Sequence, residues 1–121
     1  MAKVSFYKDR IRGIKIAFKG AWLLIWTEAS IKVQVVIAMI ITAAGFYYEI
    51  SAFEWIFQVL AFALVLGVEG LNTAIEKLCN YVQPDFDKRI GFIKDISAGA
   101  VMFVSIGASI VGLIIYIPKI F

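Results

Sequence analysis

Glu69, Asn72 and Glu76 share one stripe of the run Val68-Glu-Gly-Leu-Asn-Thr-Ala-Ile-Glu76, whose other residues are nearly all apolar. At the helical repeat the three fall within about 60° of arc and span about 10 Å. The segment before them, Val59 to Val68, carries no charge. Acids at the end of such a segment are costly unless a metal, a proton or a substrate uses them. Two carboxylates on different helices can hold a Mg²⁺ that carries phosphates, and a lysine can neutralise phosphates in transfer. An acid within the apolar layer can take the proton of a lipid hydroxyl. Partners for such chemistry are Glu28, before the first apolar span, and the pair Lys94-Asp95, opening the last.

The 121-residue chain is 62% hydrophobic, with a mean hydropathy of +0.89. A small soluble domain cannot hide that much apolar surface, so membrane insertion is expected. Histidine is absent, which excludes a Ser-His-Asp triad and a His-ligated zinc. The one cysteine, Cys79, excludes an internal disulfide framework. Chemistry must then rest on carboxylates, amides, lysines or backbone, a donor set suited to hard cations such as Mg²⁺. No cleaved signal peptide is expected, because basic residues interrupt the first 20 positions. No Gly-x-x-x-x-Gly-Lys-Ser/Thr loop is present. No nucleic-acid partner is implied.

The elements that must position these residues are all helical. Residues of about 5–26 read as an amphipathic surface helix, with Ile11, Ile14, Phe18, Trp22 and Ile25 edged by Lys8, Arg12, Lys15 and Lys19. Three transmembrane helices are expected at about 31–48, 53–78 and 90–117. A short link with Glu49, Ser51 and Glu54 joins the first two, and a polar connection over 79–90 with Pro84 joins the last two. Asp85 and Asp87 read as caps of the third span. Small residues in that span, from Ser97 through Gly99 and Gly107 to Gly112, read as surfaces for close helix contact. One domain over 1–121 is expected, all-α and integral to the membrane.

Of the twelve Lys and Arg residues, ten lie in the amino-terminal segment or around the second connection. The positive-inside rule places the amino terminus and the 79–90 connection in the cytoplasm. Glu28, Glu76, Lys94 and Asp95 then share one depth at the cytoplasmic boundary, with Glu69 deeper by about two turns.

Glu69-Gly-Leu-Asn72-Thr-Ala-Ile-Glu76, with Lys94-Asp95-Ile-Ser-Ala-Gly-Ala-Val101 following, resembles the signature of the small prokaryotic diacylglycerol kinase and undecaprenol kinase family. Phe18-Lys-Gly20 and Thr27-Glu28-Ala-Ser-Ile-Lys32 fit the same pattern. The resemblance implies a homotrimer in the bacterial cytoplasmic (inner) membrane, transferring the γ-phosphate of MgATP to a lipid alcohol. It implies Glu69 as catalytic base and lipid contact, Glu28 and Glu76 as Mg²⁺ ligands, and Asn72 in the polar shell. ATP would meet Glu28, Glu76, Lys94 on the phosphates and Asp95 on the nucleoside side. Lys32-Val33-Gln34 stands nearer the undecaprenol branch, although it lacks that branch's histidine; diacylglycerol is the alternative substrate. From the residues alone, an ion or proton path through Glu69 and Glu76, or a non-catalytic scaffold, stays open beside the kinase.

Overall fold

The computed structural model describes residues 2–121, with side chains from Ser5 onward. Lys3, one of the basic residues counted above, lies outside the described side chains. Four helices follow in order: α1 (Ala2–Thr27), α2 (Ala29–Tyr47), α3 (Ala52–Val82) and α4 (Lys88–Ile120). The last three are long and apolar enough to cross a bilayer, with mean hydropathies of 1.8, 1.7 and 2.4 over their most relevant stretches.

The boundaries follow local chemistry. Glu28 breaks the α1–α2 path with an extended backbone, φ −111° and ψ 119°. Glu49 turns the chain with a left-handed φ of 51°. Ser51 then opens α3 with a capping box: its hydroxyl accepts from the Glu54 amide, and the Glu54 carboxylate accepts from the Ser51 amide. Glu54 therefore sits inside α3 rather than in the link. α3 also continues past residue 78 to Val82, where Pro84 forbids more. At α4 the Asp87 carboxylate accepts from the Arg89 amide at 2.8 Å, while no such bond marks Asp85 among the described residues. Pro118 does not stop α4, because a proline in the last turn removes only one bond near an end that is already frayed.

α3 and α4 form a long antiparallel pair, and α2 lies back along α3. The tightest packing is at the hairpin end, where Ile50, Ile115 and Tyr116 are buried among Ile41, Ala44, Tyr48, Trp55 and Val111. Gly45 lets that end close: a Cβ there would lie 2.7 Å from Trp55 Cη2, and a rigid ring cannot yield. Large apolar side chains elsewhere are mostly exposed, as a lipid-facing surface allows.

α1 is exposed on its apolar and basic faces alike from Ser5 to Lys19, so no chain segment covers its stripe. Of the small residues of α4, Ser97 is buried, and Ser105, Ala108 and Gly112 are half-buried on the same stripe. A Cβ added at Gly99, Gly107 or Gly112 would meet nothing within 4 Å.

Candidate active site

The antiparallel pairing of α3 and α4 brings the two sequence motifs to the same end of the bundle. Asn72 is the joint: its Oδ1 accepts from Ser97 Oγ at 2.7 Å, across the helix interface. Its Nδ2 donates to Glu76 Oε1 at 3.3 Å, one turn along α3. Ser97 thereby fixes which way the amide points, and the amide in turn orients a carboxylate.

Glu69 lies one turn deeper than Asn72 and two turns deeper than Glu76. Gln34 of α2 donates its side-chain amide to Glu69 Oε1 at 3.5 Å, a long and weak contact. Glu69 Oε2 is fully buried and has no hydrogen-bond partner among the described residues. A native buried oxygen without a partner is rare and calls for an explanation. Beside it, Gly70 admits Leu24 of α1, whose Cδ1 would stand 2.9 Å from an added Cβ. That contact seats the end of α1 against the turn that carries Glu69.

The expected metal ligands are engaged otherwise. Glu28 forms an ion pair with Lys77 of α3 at 3.1 Å. Glu76 holds Asn72. No cluster of three or more acidic or thiol ligands occurs among the described residues. The donors present are hard carboxylate oxygens at one bundle end, which fits Mg²⁺ arriving on a nucleotide, since that ion needs only one or two carboxylates besides phosphates. Lys94 donates to Asn80 Oδ1, and Asp95 is exposed with no hydrogen bond or ion pair among the described residues. At the mouth, the Arg89 guanidinium and the Arg89 amide hold the Asp87 carboxyl below its usual range.

Sequence reasoning located Glu28, Glu69, Asn72, Glu76, Lys94 and Asp95 at one end, and the structure puts all six there. It missed Ser97, Lys77 and Asn80 as partners, and it treated Gln34 as a substrate marker rather than a neighbour of Glu69. The spacing of Gln34 from Glu28 held a usable signal: a polar amide in an otherwise apolar span needs a partner.

The prokaryotic diacylglycerol kinase family model matches residues 15–116 of the chain. An undecaprenol kinase of Bacillus subtilis (strain 168) is 31% identical over 103 residues, covering 85% of this chain and 84% of the relative.

Proposed function

Because the chain belongs to the prokaryotic diacylglycerol kinase family, and is thus a lipid kinase of the bacterial membrane, we propose that it converts undecaprenol to undecaprenyl phosphate with ATP. Membership sets aside the ion-path and scaffold readings. The observation that carries the proposal is the unpartnered, buried Glu69 Oε2 beneath the Asn72–Glu76 shell. It is an acceptor held ready for a proton, at a depth where a lipid hydroxyl can arrive while the nucleotide stays at the surface.

In this reading the lipid hydroxyl gives its proton to Glu69 Oε2 as its oxygen bonds to the γ-phosphorus, and the bond to the ADP oxygen breaks in line. Gln34 steadies the other carboxylate oxygen. Glu28 and Glu76 would hold Mg²⁺ with the nucleotide phosphates. The ion, when bound, supplies neutralisation of phosphate charge. Lys77 must release Glu28 for that, and Lys94 must turn from Asn80 to reach a phosphate. Asp95 would meet the nucleoside side. Most of the rate enhancement would come from alignment and charge neutralisation rather than covalent chemistry. A homotrimer, a cytoplasmic site and an α1 lying on anionic lipid complete the reading; the exposed basic face of α1 supports the last.

Undecaprenol is preferred to diacylglycerol on the name of the Bacillus subtilis relative and on Lys32-Val33-Gln34. The test is phosphate transfer from ATP to the two lipids side by side in one membrane mimic. A kcat/KM at least about tenfold higher for undecaprenol, or 1.4 kcal/mol in transition-state binding, is expected. Equal turnover, or preference for diacylglycerol, overturns the substrate assignment.

A further inference from the structure

The Lys77 ammonium stands 3.1 Å from Glu28 Oε1, on one of the two carboxylates proposed to hold Mg²⁺. Glu28 occupies the N-cap position of α2, yet its side chain makes no capping hydrogen bond. A carboxylate there is placed to accept from the free amides of the first turn. This one turns across to α3 instead. The Glu28 side chain is 23% exposed and that of Lys77 is 68% exposed, so the ammonium meets the carboxylate from the solvent side. Such a pair holds its carboxylate only weakly. A second lysine is placed alike: Lys94 of α4 donates to Asn80 Oδ1, one turn of α3 beyond Glu76. Around the axis of α3, Asn80 lies about 40° from Glu76 and Lys77 about 100°, so both bonds fall on one flank of Glu76. The end of the bundle thus carries two carboxylates, Glu28 and Glu76, and two ammoniums held by weak partners.

We propose that Lys77 guards Glu28 against a bare divalent cation and moves onto the nucleotide phosphates when MgATP enters. Metal is then admitted only together with nucleotide. The proposal rests on the lipid-kinase reading of this site and deepens it, by adding Lys77 to the phosphate-binding groups and coupling that contact to a metal ligand.

Three features support this double role. An ammonium and a metal cation cannot share one oxygen of Glu28, because two positive charges at contact distance repel. Lys77 therefore has to leave before Glu28 can ligate, and its place in the last two turns of α3 leaves it free to do so. The flexible four-carbon stem carries the ammonium from carboxylate to phosphate without backbone movement. Charge also drives the exchange in one direction. A polyphosphate offers Lys77 a more strongly charged partner than Glu28 does, whereas a divalent cation arriving alone displaces Lys77 into water with nothing in return. Lys94 makes the matching move, but from a neutral amide. Of the two lysines, Lys77 is the one whose release frees a metal ligand. A pair that merely fastened α1 to α3 would add little, since Leu24 against Gly70 already seats the end of α1.

The test compares the intact protein in neutral detergent as wild type, Lys77→Met and Lys77→Arg. Mn²⁺ alone, followed by electron paramagnetic resonance without nucleotide, reads the guard. Lys77→Met is expected to bind Mn²⁺ about threefold to fivefold more tightly than wild type, the scale of an exposed ion pair. MgATP, titrated calorimetrically with no lipid alcohol present, reads the phosphate contact. Lys77→Met is expected to bind it about tenfold more weakly, the scale of one lost charge-assisted hydrogen bond. Lys77→Arg keeps the charge and should stay within about threefold of wild type for both ligands. Opposite signs for the two ligands in Lys77→Met distinguish the double role from a structural tie, which moves neither affinity or weakens both. Mn²⁺ affinity unchanged or lowered in Lys77→Met overturns the guard, and unchanged MgATP affinity overturns the phosphate contact. A loss of MgATP affinity in Lys77→Arg as large as in Lys77→Met also overturns it, because charge is then not what matters. Phosphate transfer from ATP to undecaprenol by wild type, measured on the same preparation, keeps the two readings apart. With transfer intact and both affinities of Lys77→Met unmoved, the role of Lys77 fails while the lipid-kinase reading stands.

Discussion

Glu69→Gln isolates the proposed base with almost no change in shape. The amide oxygen can keep the contact from Gln34, which spans 3.5 Å in the native protein, and the amide nitrogen takes the place of Oε2, where no protein group waits for it. Binding of ATP should survive, because Glu28, Glu76 and Lys94 are untouched. Loss of a positioned general base removes about 10²–10⁴-fold in rate, which is about 3–5 kcal/mol of barrier. Stability should hold or rise, because an amide never carries charge in the apolar layer, where an acid at a helix centre costs about 2.5–3.5 kcal/mol. The assay is transfer of labelled γ-phosphate to undecaprenol, with thermal unfolding followed by tryptophan fluorescence on the same preparation. A variant that unfolds like wild type yet keeps kcat within about threefold, under 1 kcal/mol, refutes Glu69 as the base.

Ser97→Ala removes the bond that orients Asn72; the hydrogen bond between helices is worth about 0.6 kcal/mol, at most about 1.7, so KM for ATP should rise several-fold while melting shifts little. Tyr116→Phe should behave oppositely. It leaves Gln58 without its partner at the hairpin end, destabilising the bundle by about 1–2 kcal/mol with little change in KM for ATP, read by thermal unfolding and initial rates. For Asp87 the sign follows from its lowered pKa: the capping stabilisation is full above the unfolded value of about 3.9 and is lost as pH falls through the lower folded value. Hydrogen exchange at the first turn of α4 should accelerate in that acid window, and Asp87→Asn should flatten the response.

The spans were legible because each is an uninterrupted apolar run of bilayer length, and the end of α3 because proline cannot continue it. The start of α3 was legible too and was read too late: Ser51-Ala-Phe-Glu54 before an apolar run is the capping-box pattern. What the sequence could not show is which polar groups choose one another. Lys77 lies beside Glu76 in sequence yet pairs with Glu28, because a side chain on the next position of a helix points about 100° away. Lys94 bonds to Asn80 for a similar reason: antiparallel packing of α3 on α4, not proximity in sequence, sets the pair. The small residues of α4 could be seen, but not that Ser97 among them bonds across to Asn72 while Gly99 and Gly107 border open space.

The hairpin joining α2 to α3 bears on how the chain is made. Residues 48–51 are all that separate the two helices, and Gly45 against Trp55 and the Ser51–Glu54 box close the turn from within. α2 is 19 residues long, near the minimum for spanning hydrocarbon. The two helices are therefore suited to enter the bilayer as one folded unit, with Glu49 and the capped Glu54 at its turn. Biogenesis thus depends on a turn at the end of the molecule opposite Glu69 and Glu76: a Gly45→Val chain should fail to integrate during synthesis, whereas Glu69→Gln should integrate as wild type does.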